Sequence, residues 1–192
     1  MAIGIFFLTV LFVLVVIPIA VIAFLILMLV SSFISAAHGA PFSPIKRKSI
    51  KSLLAWGGLS PDDIFYDLGC GDGRVLISAI CDFRVQKAVG YEVAPWPYLE
   101  TKFAVYLAGL RKDISIFRKD FFEANLSDAS FVYTYLSSKL VNEFAVRMTN
   151  EVKPGAKILC PSFPIDLANH PSFRLIKSEK AGKMTAYLYE KR

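Results

Sequence analysis

Directly after an apolar stretch, the string Phe65-Tyr66-Asp67-Leu68-Gly69-Cys70-Gly71-Asp72-Gly73-Arg74 sets a carboxylate beside three glycines at alternate positions. Glycines so spaced permit a tight turn and let a ligand approach the backbone where a helix N-terminus follows. A dinucleotide fingerprint would read G-x-G-x-x-G. Here the spacing is G-x-G-x-G, with Arg74 where that fingerprint has its third glycine. Asp67 at the turn opposes a pyrophosphate, whereas it suits a ligand carrying an ammonium and a sulfonium. The departures point away from a nicotinamide dinucleotide and toward S-adenosylmethionine.

Two more acids stand at the ends of later strand-like runs. Glu92, in Val89-Gly90-Tyr91-Glu92-Val93, is placed to take both ribose hydroxyls. Asp120, followed by Phe121 and Phe122, can accept from an adenine amino group with Phe121 lining the ring. Three acidic strand ends in register weigh more than one glycine-rich turn, although solvation in a loop is the commoner fate of Asp and Glu. Cys70, inside the turn, reads as a small side chain beside the cofactor. Cys81 and Cys160 read as buried thiols, and three cysteines without C-x-x-C spacing argue against a disulfide framework. His38 and His170 are isolated, so no metal site is expected.

The elements that must position these residues alternate. Ile64–Gly69, Lys87–Val93, Ile114–Arg118, Ser130–Leu136 and Ala156–Pro161 read as strands, with helices over Arg74–Cys81, Pro95–Leu110 and Lys139–Thr149. In the second helix, Leu99, Phe103, Tyr106 and Leu110 make one apolar stripe. Such alternation predicts a parallel sheet covered on both faces. Phe173–Ile176 and Met184–Tyr189 leave no room for a helix between them and should form an antiparallel hairpin at the sheet edge. The expected architecture is α/β and Rossmann-like.

Ahead of this domain the chain changes character. The protein is 55% hydrophobic, yet its 22 basic and 16 acidic side chains all follow Ile45. Ile3–Val30 is an unbroken apolar run whose roughly 28 residues reach about 42 Å as a helix, against about 30 Å of hydrocarbon. It reads as a transmembrane helix. A cleaved signal peptide is disfavoured by the missing basic n-region and the length of the apolar run. Lys46, Arg47, Lys48 and Lys51 follow the span, which predicts a single-pass topology with the domain in the cytoplasm. Pro41-Phe42-Ser43-Pro44 is a stiff connector, and Lys46–Trp56 a short amphipathic helix with a basic face near anionic headgroups. The expected division is residues 1–36 as anchor, 37–58 as connector and amphipathic helix, and 59–192 as catalytic domain.

Asp67-Leu68-Gly69-Cys70-Gly71-Asp72-Gly73, with the later Gly90-Tyr91-Glu92 and Asp120-Phe121-Phe122, resembles the class I, seven-strand methyltransferases. More narrowly, the order A-P-F-x-P, Y-D-L-G-C-G-D-G-R, G-Y-E-x-x-P-W and D-F-F is similar to a group of small protein-lysine methyltransferases. That group includes archaeal lysine methyltransferases and the ATP synthase c-subunit lysine methyltransferase. The resemblance implies that Asp67, Gly69, Gly71 and Gly73 hold the methionine part of S-adenosylmethionine, Glu92 the ribose and Asp120 the adenine. It also implies that Phe42, Pro44, Tyr133, Tyr135, Leu136, Ser137 and the Ser162-Phe163-Pro164 loop surround the acceptor, a lysine side chain of a protein. Strand four reads Tyr133-Thr134-Tyr135-Leu136 in place of the [DN]-P-P-[YF] of adenine and glutamine amide methyltransferases, which disfavours those substrates and leaves no obvious base. Tyr135 is the one candidate catalytic residue, with Tyr133, Phe42 and Phe163 as aromatic walls.

Other readings stay open. A lipid-soluble small molecule such as a quinone precursor would use the same anchor, and a non-catalytic cofactor-binding scaffold would keep the fold. The intact acidic and glycine set argues against the scaffold. The net charge of +6 alone selects no partner, and without a separate RNA-binding domain no nucleic acid is expected.

Overall fold

The computed structural model describes residues 2–38, 45–181 and 184–192. A long helix, α1 (Ala2–Ala37), precedes α2 (Arg47–Gly57). Then come β1 (Ile64–Leu68), α3 (Arg74–Phe83), β2 (Lys87–Tyr91), α4 (Pro95–Leu107), β3 (Ile114–Phe117), β4 (Phe131–Thr134), α5 (Ser138–Glu151), β5 (Lys157–Pro161), β6 (Phe173–Ala181) and β7 (Met184–Lys191). The strands form one seven-stranded sheet in the order β3-β2-β1-β4-β5-β7-β6. Its first five strands are parallel, and β7 enters antiparallel between β5 and β6, so the expected edge hairpin forms.

Strands buried on both faces carry apolar residues at successive positions, as a parallel sheet requires. Alternation along each strand then divides the core. Phe65, Phe131 and Leu159 point to the side covered by α2 and α3, where Ile50, Leu54 and Leu76 meet them. Tyr66, Val132 and Ile158 point to the other side, against Val141, Phe144 and Met148 of α5. The sheet order reverses between β1 and β4, both parallel neighbours, which opens a crevice at their C-terminal ends.

Two helices behave differently from the rest. On α4 the buried residues are Pro95, Pro97, Thr101 and Val105, and the stripe Leu99, Phe103 and Tyr106 faces outward while Leu110 is half-buried. On α1, residues 4–26 are exposed, and the residues buried or half-buried against the domain are Leu27, Ser31, Ile34, Ser35 and His38. Gly4–Ala37 is long and apolar enough to cross a bilayer.

Candidate active site

At the crevice, β1 runs straight into the glycine turn. Gly69, Gly71 and Gly73 take φ of +81°, +55° and +75°, the left-handed region that only glycine enters at no steric cost. The N–H groups of Gly69 and Cys70 donate to the Tyr91 carbonyl at 2.9 and 3.0 Å, tying the turn to β2. Thr101 of α4, fully buried, donates from its hydroxyl to the Gly71 carbonyl at 2.6 Å. A Cβ at Gly73 would lie 2.5 Å from Thr101 Cγ2, so the turn and α4 fit only without one.

Around this turn lies a cleft whose empty space, open solvent at its mouth included, is about 820 Å³. Asp67 lines it, 2% exposed, and its Oδ2 has no hydrogen-bond partner. Burial first, then the carboxylates of Glu92 and Asp72, push the Asp67 pKa well above the ordinary carboxylate range. A buried acid with a free oxygen and acidic neighbours is a receptor for a cation. Glu92 sits opposite. Its Oε2 accepts from the Gly71 N–H at 2.9 Å and its Oε1 from the Ala94 N–H at 2.8 Å, while burial raises its pKa. Burial first, then the carboxylates of Asp67 and Glu92, push the Cys70 thiol well up, which disfavours the thiolate a nucleophile needs.

Register aligns Asp67 with Tyr133 on the adjacent β4. The Tyr133 hydroxyl is buried without a partner, and burial is the main cause that lifts its pKa well up. Tyr135 and Leu136, just past the end of β4, line the same cleft, as does Phe121. Asp120 is not among the lining residues. Its Oδ1 accepts from the Phe122 N–H at 2.9 Å, and its Oδ2 is 3.7 Å from His38 Nε2. Phe163, 40% exposed in the loop after β5, is not among the lining residues. Phe42 and Pro44 lie outside the described residues, although Ile45, which follows them, lines the cleft.

Sequence reading missed four participants. Ser35 and His38, on the last turns of α1, line the cleft; a histidine without metal-ligand spacing gave no signal. Thr101 was detectable as the one hydroxyl on the buried side of α4. Arg74, where a dinucleotide fingerprint would have glycine, pairs with Asp72 and donates from Nη1 to the Ile45 carbonyl at 2.9 Å. It therefore ties Ile45 to the glycine turn.

The family profile described as the ANTKMT methyltransferase domain matches residues 67–171, more than half of the chain. The chain belongs to this methyltransferase family. A protein-lysine N-methyltransferase of Saccharolobus islandicus is 36% identical over 151 residues, 78% of this chain and 92% of that protein. The adenine nucleotide translocase lysine N-methyltransferase of mouse is 30% identical over 100 residues, and the chain spans only 43% of its length. In fold, the chain superposes on an RNA methyltransferase from Salinibacter ruber, solved with S-adenosyl-L-homocysteine. The TM-score is 0.71 at 22% identity, covering 77% of this chain and 93% of that one. This methyltransferase therefore uses S-adenosylmethionine, whose ammonium and sulfonium suit the unpartnered Asp67 oxygen and the acid-lined cleft.

Proposed function

We propose that this enzyme is a protein-lysine N-methyltransferase working at a membrane surface, anchored by residues 1–36, with 37–58 as connector and amphipathic helix and 59–192 as the catalytic domain. Asp67 and the turn of Gly69, Cys70, Gly71 and Gly73 hold the methionine end of the cofactor. Glu92 takes the ribose, and Asp120 with Phe121 the adenine. The observation that carries this reading is the buried, unpartnered Asp67 Oδ2 in a cleft lined by the glycine turn and Glu92. The lysine acceptor is supported by the archaeal relative, matched over nearly its whole length.

Bound S-adenosylmethionine supplies a methyl group on a sulfonium, a leaving group good enough that in-line alignment provides much of the catalysis. The chain has two tasks beyond holding it. The acceptor amine must arrive deprotonated, because an ammonium has no lone pair to attack with. Tyr133, Tyr135 and Leu136 wall the cleft beyond Asp67, and a wall of low polarity lowers an amine pKa by desolvation. Tyr135, half-exposed past the end of β4, is the residue positioned to accept a hydrogen bond from the incoming amine. The basic run after α1 favours a cytoplasmic domain.

The test uses the full chain in lipid vesicles with host membranes and methyl-labelled S-adenosylmethionine, and Asp67→Ala as control. Label on a protein lysine, absent with D67A, is the expected result. Label in the organic extract alone would assign a lipid-soluble acceptor. Cofactor binding without transfer to any fraction would leave a scaffold.

A further inference from the structure

One helix of the catalytic domain is more apolar outside than inside. Trp96, Leu99, Phe103, Tyr106 and Leu107 share an arc of about 100° on α4. The last four are 48%, 63%, 60% and 67% exposed, while the side against the sheet carries Pro97, Thr101 and Val105. A helix on a soluble domain has the opposite arrangement. Basic residues lie at the margin of the arc. Lys102 Nζ is 5.5 Å from the centroid of the Tyr98 ring, Arg111 Cζ is 5.8 Å from that of Tyr106, and Lys112 is exposed beside it. Glu100 is the one acid within α4 and stands half-buried at the other margin, with Asp113 exposed beyond the helix.

The position of α1 says what covers this face. Trp96 meets Phe24 edge-on, with ring centroids 4.9 Å apart, and the Trp96 backbone N–H donates to Ser31 Oγ at 2.9 Å. The apolar helix Gly4–Ala37 has 34 residues, about 51 Å in length. Crossing about 30 Å of hydrocarbon at an ordinary tilt of about 20° takes only about 21 of them. The exposed residues 4–26 supply that length, so the crossing ends where α1 docks on the domain, beside Phe24. Trp96 is thereby held where hydrocarbon gives way to headgroups, the depth at which Trp and Tyr collect, and α4 continues from that point.

We propose that the outer face of α4 lies in the headgroup region of the same bilayer. Trp96, Leu99, Phe103, Tyr106 and Leu107 dip toward the acyl chains, and Lys102, Arg111 and Lys112 reach anionic headgroups. The domain then lies against the membrane on two attachments. This inference rests on the reading of α1 as a span.

The test is tryptophan quenching in the full chain, reconstituted in phosphatidylcholine–phosphatidylglycerol vesicles with and without brominated acyl chains. With Trp56→Phe, the native Trp96 reports the crossing of α1. With Trp96→Phe added, a single reporter is placed by Leu107→Trp or, on the opposite face of the sheet in α5, by Val146→Trp; both positions are exposed. The expected result is an approximately twofold loss of emission on bromination for L107W and none for V146W. Equal, unquenched emission from L107W and V146W, with Trp96 quenched, overturns the proposal and leaves the span intact. Failure of the native chain to float with vesicles, with Trp96 unquenched, overturns the span reading itself. Shielding of L107W that rises with the protein-to-lipid ratio and ignores bromination would assign the face to a second copy of the chain, and also overturns the proposal.

Discussion

The exits of β1 and β2 are neighbours, with Asp67 opposite Gly90 in the ladder, and each delivers a buried carboxylate to one cleft. They are wired differently. Both oxygens of Glu92 accept backbone N–H groups, from Gly71 and Ala94, so this acid braces the turn whether or not a ligand is present. The Asp67 Oδ2 accepts nothing. One acid braces the fold; the other leaves an oxygen unsatisfied in the cleft, at a cost to the protein without a ligand.

The same type of substitution should therefore act in opposite directions at the two strand ends. Asp67→Ala is expected to reduce cofactor affinity by roughly a hundredfold or more, the loss of a buried charge partner, measured by calorimetric titration. Asp67→Asn should lose affinity similarly while changing the stability of the ligand-free protein with pH. Because the folded-state pKa of Asp67 is raised, the folded protein holds a proton that the unfolded chain has released. Stability of the wild type then falls as pH rises from the ordinary carboxylate range through the raised value. The D67N variant lacks this slope, so its melting temperature should gain on the wild type as pH rises. A parallel pair of curves would break the comparison. Glu92→Gln should do the reverse and lower stability by about 1–3 kcal/mol in the ligand-free protein, since its amide NH2 must face a backbone donor. Thermal melts of the two variants at one neutral pH check the sign directly.

Smaller effects sharpen the picture. Thr101→Val removes the bond to the Gly71 carbonyl and should cost about 0.5–1.5 kcal/mol, with a modest rise in the KM for the cofactor. His38→Ala should have the least effect on folding, as its side chain is partly exposed at the rim. It is expected to raise the cofactor KM by roughly threefold at unchanged kcat, the loss of one weak contact. Steady-state kinetics of the full chain separate the two parameters.

What was legible in the sequence follows the same division. Periodicity and glycine spacing are local, so the five parallel strands, the hairpin and the turn could be read from short windows. The ends were less sharp: α4 stops at Leu107 with Gly109 in the left-handed conformation, short of the Leu110 expected. β4 stops at Thr134, because Ser137 already caps α5 by accepting from the Leu140 N–H at 3.5 Å. The unread parts are contacts between distant segments. That the stripe of α4 faces away from the sheet depends on where α1 lies, and nothing in residues 95–107 records it. The same holds for Ser35 and His38, whose place in the cleft wall depends on where the end of α1 docks.

The seam on α1 carries one more consequence. Leu27, Ser31, Ile34 and His38 recur at spacings of four and three, so one face of the helix meets the domain while its earlier turns are apolar all round. Uniform apolar composition fixes no rotation, but the seam has a phase. One residue inserted between Phe24 and Ser31 would turn everything before it by about 100° relative to the docked end and pull Phe24 off Trp96. The same insertion near Leu14 would merely lengthen the rod. The helix thus has a part that tolerates any frame and a part that keeps time with the enzyme.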